Sequence, residues 1–162
     1  MNQFIGTKRL LAKPMSRGEY NTYRQWPMPS DENADDKGYL VEYLDGGKPN
    51  MDGHAGYVSW SPADQFENAY NHVNAMTFGH AVEMLKAGKN VARAGWNGKN
   101  MFLFLVPGSI FNVNRAPLLG IYEVGTEICY RSHIDMKTAD DTVVPWVASQ
   151  TDVLADDWMV IL

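Results

Sequence analysis

In the stretch Met76 to Leu105, MTFGHAVEMLKAGKNVARAGWNGKNMFLFL, the apolar positions first recur at helical spacing and then run together. Phe78, Ala81, Val82 and Leu85 fall on one face of a helix. Thr77 precedes them as an N-cap, because its hydroxyl can satisfy a free amide of the first turn. Lys86 stands in the last turn, and Gly88 suits the left-handed residue that ends a helix. Val91 and the run Met101 to Val106 then predict two strands, joined by a Gly-Trp-Asn-Gly turn.

The remainder of the chain predicts short elements of both kinds. Residues 1–13 alternate enough for a strand (Phe4, Ile5, Leu10, Leu11), ended by Pro14. Ser16 caps a short helix running to Arg24, and Glu19 completes a capping box. Trp26-Pro27-Met28-Pro29 cannot continue it, because proline lacks the amide and restricts its predecessor. Gly38 to Leu44 and Tyr57 to Trp60 are strands by their β-branched and aromatic content, with a turn at Asp45-Gly46-Gly47. Ser61-Pro62-Ala63-Asp64 predicts a helix start with serine as the cap, running to about Tyr70. Strands are expected near Phe111–Asn114, Glu127–Tyr130, Ile134–Lys137 and Val143–Val147. Pro145 inside the last of these points to a sheet edge or a bulge. Ala148 to Asp152 turns into a short helix capped by Ser149 or Thr151, and Trp158 to Leu162 is a final strand. The fold class is therefore α+β, with small, mostly antiparallel sheets and short helices. Asn71-His72-Val73-Asn74 is the expected boundary between a module at 1–72 and one at 75–162.

Charge narrows the partners. Fourteen Lys and Arg against nineteen Asp and Glu leave a formal net charge of -5, with no long basic run. That argues against a protein that coats long nucleic acid, which needs a basic face to replace counterions. It leaves room for one small anion, which a few backbone amides and a cation can hold. A single cysteine, Cys129, makes an internal disulfide impossible and fits a reducing compartment. No stretch reaches the roughly 20 apolar residues of a membrane span, and the N-terminal apolar run is too short for a signal peptide. The expectation is a soluble cytoplasmic protein.

Motifs for catalysis are few. The four histidines are scattered without a carboxylate or cysteine at metal spacing, so no metal site is expected. There is no nucleophile elbow, Walker loop or dinucleotide fingerprint. Asp140-Asp141 and Asp156-Asp157 are read as turn residues and solvated ends, and Cys129 as a structural thiol. Two segments stand apart. Gly95-Trp96-Asn97-Gly98 carries a flat ring on a glycine-flanked turn. Pro145 to Asp152, PWVASQTD, places another ring before small polar residues that open a helix. Indoles offer a stacking face for a base, and helix-opening amides attract phosphate. These are the groups of a nucleotide pocket; core tryptophans and an ordinary cap would leave the same pattern.

MTFGHAVEMLKAGKNVARAGWNGKNMFLFLV followed by PWVASQTDVLADDW resembles a phage family that counters the bacterial Thoeris defence, the second described type of Thoeris anti-defence protein. The resemblance covers about residues 76–162. It implies a sponge: a protein that binds a glycocyclic ADP-ribose-type signal without cleaving it, so that the defence effector is not switched on. It also implies a homotetramer with signal pockets between subunits, acting in the cytoplasm of the infected host, without a cofactor or metal. Cyclic oligonucleotides are possible further ligands, since some relatives hold them at separate sites. Carried over by position, the ligand-binding residues are Phe78, Trp96, Asn97, Gly98, Trp146, Ala148, Ser149, Gln150, Thr151 and Asp152, with Arg93 as a candidate cation. Trp96 and Trp146 are expected to stack, the amides near Ser149–Thr151 to meet phosphate, and Asp152 to meet ribose. The alternatives are a nucleotide-processing enzyme using Asp152, Asp157 or a histidine, and a structural phage component with aromatic interface anchors. The first 72 residues lie outside the resemblance and resemble a module attached to various phage proteins.

Overall fold

The computed structural model describes residues 1–96 and 100–161. The chain divides into two compact units, Met1–Tyr70 and Asn71–Leu162. Both are built on antiparallel sheets with short helices, the α+β class that the pattern predicts.

The first unit is a three-stranded sheet in the order β1 (Leu10–Pro14), β2 (Gly38–Tyr43), β3 (Tyr57–Pro62). Helix α1 (Arg17–Tyr23) has the expected capping box: the Ser16 hydroxyl accepts from the Glu19 amide, and the Glu19 carboxylate accepts from the Ser16 amide. Tyr20, Leu40 and Val58 form the core, with Met15 and Trp60 packed against it. Two expectations shift. Phe4 and Ile5 lie outside β1 and are exposed, while Pro14 belongs to it, opposite Tyr39. A proline fits there because β1 is an edge strand and can lack one amide. Ser61 does not cap helix α2 (Ala63–Ala69). It pairs with Tyr39 inside the ladder, and the cap position falls to Pro62, which makes no side-chain cap bond.

The second unit carries a five-stranded antiparallel sheet in the order β10 (Trp158–Ile161), β4 (Asn90–Arg93), β5 (Phe102–Val106), β8 (His133–Lys137), β9 (Val143–Pro145). A separate ribbon pairs β6 (Ser109–Asn112) with β7 (Glu127–Tyr130). Strand β9 ends at the sheet edge with Pro145, as its missing amide requires. Helix α3 (Phe78–Lys86) is capped by Thr77, whose hydroxyl accepts from the His80 amide, and Gly88 follows it with φ +76°. Ala81 and Leu85 press onto Val91, Leu103 and Trp158, all fully or almost fully buried. Because side chains alternate along a strand, the residues that face α3 are Val91, Leu103, Leu105, Ile134, Met136, Trp158 and Val160. A short 3-10 turn, Ala94–Trp96, follows β4, and helix α4 (Gln150–Val153) follows β9.

Candidate functional site

Trp158 opens strand β10 opposite Arg93 and is 0% exposed. Three other rings meet it. Phe78, from the first turn of α3, lies 5.4 Å away between centroids. Trp96, at the end of the 3-10 turn, meets it edge to face at 5.6 Å. Trp146, just past β9, does the same at 6.1 Å. Phe78 and Trp146 also touch, at 6.1 Å. Such tilted and edge-on pairs suit the ring quadrupoles. The two indoles singled out in the sequence thus share one buried ring, which sequence patterning read only as part of a strand.

Phe78, Trp146 and Ala148 line an open groove of about 470 Å³ along α3, with Val82 and Leu85 on its helix side and Lys86 and His133 among its polar members. The Lys86 ammonium is largely exposed and meets Glu83 at 2.8 Å. The Nδ1 of His133 lies 3.1 Å from the Arg131 carbonyl.

The remaining candidates form a clasp beside the rings. Arg93 Nε donates to Asp157 Oδ1 at 2.8 Å, and its Nη1 donates to Asp152 Oδ1 at 3.1 Å and to the Thr151 carbonyl at 3.2 Å. The other oxygen of Asp157 accepts from the Gly95 amide at 3.1 Å. The other oxygen of Asp152 accepts from the Ser149 amide and hydroxyl at 3.0 and 2.6 Å, and the Asp152 amide donates back to the Ser149 hydroxyl oxygen at 3.2 Å, which closes a capping box for α4. Trp158 Nε1 donates to the Asp152 carbonyl at 3.0 Å. One guanidinium therefore ties the turn that carries Trp96 to the helix that follows Trp146.

The electrostatics follow from this wiring. The Arg93 hydrogen bond, aided by the Gly95 amide, holds the Asp157 carboxyl below the usual range. Burial works against the ionised form of Asp152, but its bonds from Ser149 and Arg93 outweigh that and leave it lowered as well. Arg93 is raised, first by the bond to Asp157. Both carboxylates stay ionised at neutral pH and face an internal cation.

The structure so brings Phe78, Trp146 and Ala148 to the groove, and Arg93, Ser149, Thr151 and Asp152 to the clasp. Trp96 reaches the ring cluster. Gln150 is exposed at the first position of α4, and its amide and that of Thr151 lie where a helix offers no internal partner. Asn97 and Gly98 lie outside the described residues. Trp158 is not among the residues the sequence singles out, because it sits in an apolar strand, and Asp157 enters only as a candidate of the alternative enzyme reading, because next to Asp156 it has the pattern of a solvated end. The only sequence signal for them is their place at the close of the PWVASQTDVLADDW segment.

Residues 76–161 match the family model of the Thoeris anti-defense 2-like domain. The chain belongs to this family. It is also similar to Thoeris anti-defense 2 of Bacillus phage SP01, 46% identical over 86 residues, which make up 53% of this chain and 94% of that protein. The matched span contains the rings, the groove and the clasp, and leaves the first unit outside it. Membership makes this a phage anti-defence protein. No helix among the described residues is long and apolar enough to cross a membrane.

Proposed function

We propose that the second unit binds a cyclic nucleotide immune signal of the glycocyclic ADP-ribose type and holds it intact, away from the defence effector. The observation that carries this is the groove walled by Phe78 and Trp146, in a chain of the Thoeris anti-defense 2-like family. Its volume falls in the range of roughly 300–1,000 Å³ typical of small-molecule sites. Aromatic walls suit a base, and the Lys86 ammonium can donate to phosphate oxygens. The clasp sets the frame: with Arg93 engaged by Asp157 and Asp152, its role is to fix the two ring-bearing segments rather than to meet the ligand. Binding without cleavage is favoured because general acid–base chemistry works best with groups that titrate near the working pH. Asp152 and Asp157 are lowered and bonded internally.

Exposed apolar residues on and around the ribbon, Ile110, Ile121 and Val124, and Val147 on the groove, support subunit contacts. A homotetramer with pockets completed between protomers accounts for them, and the cytoplasm of the infected host is where such a signal must be met.

The test is to purify the chain from cells that express a TIR signalling enzyme, denature it, and analyse the released small molecules by mass spectrometry. The expected result is the intact cyclic signal, roughly one per site, with about tenfold or greater loss of binding in Trp146→Ala or Phe78→Ala. Release of a hydrolysed product in excess of protein supports an enzyme instead. Absence of any nucleotide contradicts the proposal.

A further inference from the structure

The first unit contains a hydrogen-bonded relay that ends on an accessible phenol. Glu42, in β2, is 9% exposed. Its Oε1 accepts from the amides of Ala55 and Gly56 at 2.7 and 2.9 Å. Its Oε2 lies 2.9 Å from Nδ1 of His54. The other imidazole nitrogen, Nε2, lies 2.8 Å from the phenol oxygen of Tyr23, the last residue of α1. The two rings meet edge-on at 5.9 Å. With Nδ1–H donated to the carboxylate, Nε2 is left as the acceptor, and the Tyr23 hydroxyl donates to it.

The backbone is shaped for this arrangement. A Cβ on Gly56 would stand 1.8 Å from the Tyr43 carbonyl oxygen, so only glycine lets this segment lie close enough for Glu42 to collect two amides. Tyr23 is 37% exposed, and the Lys13 ammonium sits 5.3 Å from its ring centroid.

A nucleophile in reach of a base, with the base oriented by a third group, is the arrangement that activates side-chain hydroxyls. We infer that Tyr23 is a nucleophilic tyrosine, a covalent acceptor site that takes an acyl group from an activated donor. The phenol oxygen attacks the acyl carbon while its proton passes to His54 Nε2. The new oxygen–carbon bond forms as the bond to the leaving group breaks. The leaving group departs with the electron pair and takes the proton back from His54. Glu42 holds the imidazole in the required tautomer and offsets the positive charge formed on it.

The same bonds also tie the loop before β3 to α1, and a tether alone would leave the phenol with ordinary reactivity. N-acetylimidazole, applied to the full chain at neutral pH with acetylation of each tyrosine followed by peptide mass spectrometry, separates the two. Tyr57 and Tyr130, 45% and 49% exposed, are the internal references. The expected result is acetylation of Tyr23 about tenfold or more faster than either reference, falling to their rate in His54→Gln. Protection of the Leu40 and Val58 amides against hydrogen exchange verifies the fold of that variant. The inference is overturned if wild-type Tyr23 reacts no faster than Tyr57, a comparison that needs no variant, or if the fast rate persists in His54→Gln.

Discussion

The two units use their aromatic residues in opposite ways. In the second, Phe78, Trp96 and Trp146 gather on a fully buried Trp158, and the rings form both the core and the wall of a groove. In the first, only Tyr20 among the rings is a core residue, and four other rings each sit beside a cation: Trp60 by Arg17, Trp26 by Arg24, Tyr43 by Lys8 and Tyr23 by Lys13. Each unit also builds a carboxylate hub. The second fixes Asp157 and Asp152 with a guanidinium that stays charged at any ordinary pH. The first fixes Glu42 with two amides and an imidazole. Permanent charge suits a rigid frame around a binding site, whereas an imidazole suits proton transfer.

The largest expected effect breaks the ring hub. Trp158→Ala should cost about 3–5 kcal/mol, because it empties a packed site and removes the anchor of three rings. Hydrogen exchange should show lost protection at Val91 and Leu103, with Leu40 and Val58 unchanged. Equal loss in both units would erase the contrast drawn between them. Next, Gly56→Ala should cost the first unit at least about 2 kcal/mol, since the added carbon meets backbone rather than a yielding side chain. Urea denaturation followed at Trp60 measures it.

Arg93→Met is expected to cost about 1–2 kcal/mol, a figure reduced because the pair is partly open to water. It leaves two carboxylates without their cation, and it should weaken ligand binding beyond its effect on stability. The ratio of affinity loss to melting shift measures the frame role.

The smallest effect is with pH. Glu42, Asp152 and Asp157 all have lowered values in the fold, Glu42 first through the His54 bond. A lowered carboxylate contributes stability that is present above its unfolded value of about 4 and is lost as pH falls through the folded one. Urea midpoints should therefore hold steady from neutral pH down to about pH 5 and decline below about pH 4. A decline that begins near pH 6 would contradict this assignment.

Features written in local chemistry were legible in the sequence. The Ser16 box, the Thr77 cap, the Gly88 stop and the edge position of Pro145 each depend on a few neighbouring residues. Ser61 misled because a Ser-Pro start for a helix and a strand that ends in Ser-Pro are indistinguishable until the partner strand is known. The hubs were not legible, because their partners lie far apart in the chain. Arg93 meets Asp157 only because β4 pairs with β10, and Glu42 meets His54 only because the loop before β3 folds back on β2. The ring segments around Trp96 and Trp146 stood out by composition, yet their common contact, Trp158, came from a strand whose apolar run gave no hint of a special role.

Isothermal calorimetry of the full chain with purified cyclic ADP-ribose isomers decides whether the second unit holds such a signal. Tight, saturable heat for at least one glycocyclic isomer is the predicted result, with the ligand recovered unchanged after the protein is denatured. No heat for any isomer at micromolar protein, or recovery of a cleaved ligand, contradicts it.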